Sequence, residues 1–213
     1  MREFSTDCRC CPRLARHLQQ VRKVHPGYHA RPVAPFGPQQ ARLLVVGLAP
    51  GLHGANRTGR PFTGDHAGIL LYDTLHRHGF ANRAVSVSAA DGLRLKDCRI
   101  TNAVKCLPPA NRPMPDEVRR CNAYLAAEID SIPDDGIILA LGTIAHDAVL
   151  MALGIKRSAC RFRHGARHAL ASGLTLYDSY HCSRYNTQTR RLTPEMFRSV
   201  FAAIRESFRR PPR

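Results

Sequence analysis

The chain has 213 residues, enough for one domain with a sizeable core, and 44% hydrophobic content argues against a largely disordered polypeptide. Its apolar runs are too short to span a bilayer, and residues 1–11 carry no apolar stretch of signal-peptide type, so a soluble cytoplasmic protein is expected. Lys and Arg number 32 against 16 Asp and Glu, a formal net charge of +16, which favours a polyanionic partner, nucleic acid first. GC-rich coding would account for arginine over lysine, but not for the excess of base over acid.

Taken in chain order, the pattern opens with an expected helix over residues 14–21 and a Pro- and Gly-rich connector over 27–40. A buried strand is expected over 43–46, from its short β-branched run. A glycine-rich loop follows, then a helix marked by Ile69, Leu70, Leu71 and Leu75. A second strand is expected over 100–104, then a helix opened by Pro115-Asp116-Glu117, a third strand over 137–141 and a helix opened by Thr143. The fourth strand is expected over 174–177, and Thr193-Pro194-Glu195 begins the last helix. A basic tail covers 209–213. Strands alternating with helices predict an α/β three-layer sandwich with a short, mostly four-stranded parallel sheet flanked by helices. Ligands of such sheets bind beyond the C-terminal strand ends, and the unusual residues collect there: the loop from Gly47, then Asn102, Gly142-Thr143 and His181.

Residues 47–65 read GLAPGLHGANRTGRPFTGD. This is a strand-to-helix position suited to anions, but no Gly-Lys-Ser/Thr closes it and it is not GxGxxG. Gly47, Ala49 and Gly51 offer close backbone approach. Arg57 and Arg60 are candidate phosphate contacts, Phe62 offers a flat face for a base, and Asp65 is the sole acid of the segment. Asp65 also stands where a helix N-cap belongs, and spacing alone favours the cap.

There are eight cysteines. Cys8-x-x-Cys11 with the remote Cys106 and Cys121 makes a four-thiolate set, and spacing leaves zinc and an iron–sulfur cluster open. Cys98, Cys160 and Cys182 read as small apolar residues.

The glycine-rich loop resembles the first motif of the uracil-DNA glycosylase superfamily, and residues 56–65 are similar to its type-B, or fifth, family. Residues 181–189, HCSRYNTQT, resemble that family's second motif, usually begun by His-Pro-Ser. Cys182 stands where that pattern has Pro, and Arg190 where it has Gly. The resemblance runs from Cys8 to about Ile204. It implies a uracil-DNA glycosylase-like domain over 1–213, with a cluster-binding segment over 1–40, that hydrolyses the N-glycosidic bond of uracil, and of other deaminated bases, in duplex DNA. It implies a structural 4Fe-4S cluster on Cys8, Cys11, Cys106 and Cys121, and no catalytic metal. It also implies residue roles. The flipped base stacks on Phe62 and is read by Asn102. His181 stabilises the leaving anion, and Asp65 handles water or the sugar cation. In several sister families an acid or amide follows the first Gly; here Leu48 stands there, which passes that task to Asp65. The basic segment with Arg184, Tyr185, Arg190 and Arg191 would grip the duplex, with Tyr185 as a wedge. A monomer at the bacterial nucleoid is expected. Two rivals are a non-catalytic nucleic-acid-binding protein and an electron carrier. Neither needs Asp65, Asn102 and His181 to converge.

Overall fold

The structure, a computed structural model, describes residues 4–209; the tail expected at 209–213 lies outside the described residues from position 210 onward. Helix α1 (Pro12–Val24) opens with proline at its first turn, where a missing N–H costs nothing, and buries Leu14, Leu18 and Val21 along one stripe. Strand β1 (Leu43–Gly47) is fully buried. It is followed by α2 (Ala55–Thr58) and α3 (His66–Arg77). Then come β2 (Cys98–Asn102), α4 (Pro115–Ile129), β3 (Ile137–Leu141) and α5 (Thr143–Ala152). The chain ends with β4 (Arg167–Ala169), β5 (Thr175–Ser179), α6 (Arg184–Gln188) and α7 (Pro194–Ser207).

The sheet order is β2-β1-β3-β5-β4. The first four strands are parallel, as the pattern predicts; β4 pairs antiparallel with β5 at the edge. That fifth strand, Arg-His-Ala, is three residues long with two of them exposed, so it carries no apolar signature. Two strands are shifted against expectation. β2 starts at Cys98 because Cys98 pairs with Leu43, and it ends with Asn102 opposite Gly47. Residues 103–104 already leave the sheet, with Ala103 N–H donating to the Gly47 carbonyl. β5 runs on to Ser179, two residues beyond the expected end.

Side chains alternate across the strands and build two cores. Leu44, Val46, Ile138, Ala140 and Leu176 face α1, α4 and α5. Leu43, Val45, Ile137, Leu139 and Leu141 face α3 and α7. The result is three layers, with the C-terminal ends of β1, β2, β3 and β5 on one rim. No helix among the described residues is long and apolar enough to cross a membrane.

Candidate active site

Asn102 and Gly47 end adjacent strands in register, so the Asn102 side chain stands beside the start of the glycine-rich loop. It is 3% exposed, and its Oδ1 has no hydrogen-bond partner. A buried, unpaired carbonyl oxygen is costly unless a ligand satisfies it. Phe62 closes the same space. A Cβ at Gly47 would lie 2.5 Å from Asn102 Oδ1 and 2.6 Å from Phe62 Cζ, so only glycine leaves both side chains where they are. Phe62 itself holds a left-handed backbone (φ +54°) at 5% exposure. Tyr72 supports the turn by donating from its hydroxyl to the Pro61 carbonyl at 2.7 Å. Such a conformation persists only where its surroundings over-determine it.

The His181 ring stacks against Phe62, with centroids 5.8 Å apart and planes at 26°. Burial pushes its pKa down to about 4, so the imidazole is neutral at physiological pH. Its loop is fixed by Asn186, whose Nδ2 donates to the His181 carbonyl at 2.8 Å. A cross-link between the two sequence motifs follows: His66 Nε2 lies 3.0 Å from Thr187 Oγ1. His66, Asn186 and Thr187 were not among the residues singled out from the sequence, although all three lie inside or beside the two motifs.

Asp65 stands where the spacing puts a cap. It is the N-cap of α3, its Oδ1 accepting from Gly68 N–H at 3.0 Å. The Oδ2 atom faces the glycine-rich loop, where a Cβ on Gly51 would lie 3.7 Å from it. Burial raises its pKa above 3.8, and the bond from Gly68 partly offsets that. The carboxyl is half-buried rather than sealed. Cys182 is fully buried between Asp65 and the α7 side of the core, and burial pushes its thiol well up, consistent with a small apolar residue.

Ala49 and Gly51 sit half-buried on the loop. Arg57 is exposed on α2, with its Nε donating to the His53 carbonyl at 2.8 Å. Arg60 corrects the sequence reading. It is 4% exposed and grips Asp91 with both terminal nitrogens, at 3.0 and 2.6 Å. Its Nε donates to Thr63 at 2.9 Å, and its guanidinium lies over Phe36. It is a strut beneath the Phe62 turn, not a surface contact for phosphate. Asp91 lies 31 residues away on an irregular loop, so no local pattern announced the pair.

Arg184, Tyr185, Arg190 and Arg191 are all exposed on α6 and the turn after it, and Tyr185 is 70% exposed. Arg191 lies over the Tyr180 ring at 4.6 Å. Arg190 has φ +57°, the left-handed conformation that glycine adopts without strain, which gives a physical reason for glycine at this place in the resembling motif. A cleft of about 840 Å³ runs past Asp65, Arg184 and Thr187 to a loop carrying Val85 and Val87. Both valines are more than half exposed.

On the α1–α4 side, Cys8, Cys11, Cys106 and Cys121 line one cavity with Phe4, Lys105 and Tyr124. Lys105 N–H points at Cys121 Sγ at 3.3 Å, and the Tyr124 hydroxyl lies 3.4 Å from Cys8 Sγ. Burial pushes the Cys11 thiol up to about 11, with Cys121, Glu117 and Cys8 adding to the rise.

The uracil DNA glycosylase superfamily model matches residues 34–205. The chain is 48% identical over 200 residues to a type-5 uracil-DNA glycosylase of Thermus thermophilus, covering 92% of this chain and 91% of that one. It is 45% identical to one from Mycobacterium bovis, over 91% of this chain and 75% of that relative. It is also 30% identical to a type-4 uracil-DNA glycosylase of Saccharolobus solfataricus, over 79% and 74% of the two chains. A family model matched over most of the chain, and relatives this similar over most of their own lengths, identify it: the chain belongs to the uracil-DNA glycosylase superfamily.

Proposed function

We propose that this chain hydrolyses the N-glycosidic bond of uracil in duplex DNA, leaving an abasic site, and that it acts as a monomer. The observation that carries the reading is the convergence of Phe62, the unpartnered Asn102 Oδ1 and the neutral His181 around Gly47, with Asp65 opening the helix beside them.

The flipped uracil stacks on Phe62. The orphaned Oδ1 of Asn102 accepts from the base N3–H, and its amide nitrogen donates to the neighbouring carbonyl. As the bond to the sugar lengthens, negative charge grows on the base. Neutral His181 donates a hydrogen bond to the carbonyl that bears it, from a site desolvated enough to make that bond strong. The sugar becomes cationic; Asp65 Oδ2 stabilises it and orients or deprotonates the attacking water. Arg57, Arg184, Arg190 and Arg191 neutralise phosphates, and Tyr185 fills the gap left in the stack. The proposal extends to other deaminated bases, as the family resemblance implies. The same net charge favours residence on chromosomal DNA in the cytoplasm.

Cys8, Cys11, Cys106 and Cys121 would hold a 4Fe-4S cluster, which supplies a structural cross-link rather than chemistry at the base. The four thiols lining one cavity and the N–H aimed at Cys121 Sγ support a thiolate-held group there, and the resemblance selects the cluster over zinc. Cys8 and Cys11 lie at the start of α1, so their thiolates would pin it to the Cys106 loop and to α4.

The test is chromatographic. Free uracil should appear when the protein meets a uracil-containing duplex, and none from the same duplex with thymine. Release of neither base under conditions where the protein binds the duplex would leave a binding protein instead.

A further inference from the structure

Near the C-terminal end of β5, on the side toward β4, three residues form a compact set that the proposed reaction does not use. His146 on α5, His168 on β4 and Asp178 on β5 bring their ligand atoms within 4.8 Å of one another. We propose that His146, His168 and Asp178 form a structural divalent-cation site, of the kind zinc occupies.

The donor set is two imidazoles and a carboxylate, the chemistry of three-ligand zinc sites that complete their shell with water. Asp178 Oδ1 is 2.7 Å from His146 Nδ1, and Oδ2 is 3.1 Å from His168 Nε2. Tetrahedral legs of ~2.05 Å place neighbouring ligand atoms ~3.4 Å apart, so both histidine–carboxylate contacts are of the right scale and would open by less than ~1 Å to admit the ion. The outer contact is already in place: His146 Nε2 donates to the Cys160 carbonyl at 3.0 Å. A backbone carbonyl on the far ring nitrogen fixes the tautomer and orientation of a metal-bound histidine. His146 and Asp178 are sealed from solvent, while His168 keeps 17% of its side chain exposed and gives the ion its way in.

The same geometry dictates the metal-free state. The Cys160 carbonyl can only accept, so Nε2 of His146 carries a proton, and a further proton lies between Nδ1 and Asp178 Oδ1. A divalent ion takes the Nδ1 position, and the Nδ1 proton leaves to buffer. His168 binds through Nε2 with its remaining proton on Nδ1, so the balance is one proton released per ion. The site ties β4 and α5 to β5, three residues before His181.

The experiment uses the iron-loaded protein, equilibrated with one equivalent of Zn²⁺, passed over a desalting column and analysed for both metals. The expected result is one zinc per chain with iron unchanged. His168→Ala, a partly exposed position, should bind zinc at least ~100-fold more weakly while releasing uracil normally. Calorimetry in two buffers of different ionisation enthalpy needs no variant and should report one proton per zinc. No zinc retained by the iron-loaded wild type, equal retention by His168→Ala, or zinc gained only as iron is lost would each overturn the proposal. None of these outcomes bears on uracil release.

Discussion

Asp65→Asn separates chemistry from fold at the residue where the proposed mechanism and a helix cap coincide. The side chain has two jobs on two oxygens: Oδ1 caps α3 through Gly68 N–H, and Oδ2 faces the glycine-rich loop. Asparagine caps as well as aspartate, so the helix start survives. The folded-state pKa is raised, so ionising Asp65 costs the native state some stability as pH rises through it. Removing that charge leaves the melting temperature at neutral pH unchanged or slightly higher. The reaction loses its base or counter-charge, and ~10²–10⁴ in rate, equivalent to about 3–5 kcal/mol of barrier. Asp65→Ala should lose as much rate but also the cap, about 1 kcal/mol of stability. The assay is single-turnover uracil release, with thermal melting beside it. In wild type the acid limb of the pH–rate profile should lie above 3.8, since the ionised form works and burial raises its pKa; that limb should vanish in Asp65→Asn. Near-wild-type release by Asp65→Asn would remove Asp65 from the mechanism and leave it a helix cap.

Four further outcomes are expected. Gly47→Ala should fold yet lose most uracil release, because its Cβ would displace Asn102 Oδ1 and Phe62; unchanged release would show that the pocket lies elsewhere. Arg60→Ala should destabilise the protein by about 1–3 kcal/mol in denaturant titration, since it leaves the Asp91 carboxylate without its counter-charge and held only by the N–H groups of Val87, Ser88 and Leu93, without changing the salt slope of DNA binding. Arg60 holds the Asp91 carboxyl well below the usual range, so this stabilisation should be present at neutral pH and fade as acid protonates Asp91. Arg184→Ala should weaken duplex binding uniformly across sequences and reduce the log–log salt slope by about one, as measured by anisotropy. Cys106→Ala should lose iron and solubility while Cys160→Ala keeps both, as read by iron analysis and absorbance near ~400 nm.

What could be read from the sequence was what local chemistry writes locally. The β-branched runs marked the four parallel strands, and proline at the first turn marked α4 and α7. Because parallel strands share one rim, Asn102 and His181 could be assigned to the mouth of the Gly47 loop despite their distance along the chain. What stayed hidden depends on partners far apart in sequence. Arg60 looks like a phosphate ligand until Asp91 is found against it. The edge strand β4 has too few buried residues to show a period. The His146–Asp178–His168 set joins two strands and a helix that no spacing rule connects. The Arg-for-Gly departure at Arg190 was visible, but its left-handed backbone was not.

The most direct test of the account is strand cleavage at a single uracil. A labelled duplex with one uracil opposite guanine is incubated with the purified iron-loaded protein, then treated with hot alkali to break any abasic site. Wild type should yield one product cut at the uracil, Asp65→Asn only a trace in the same time, and a thymine duplex none. An uncut uracil duplex at protein concentrations that saturate binding would contradict the account.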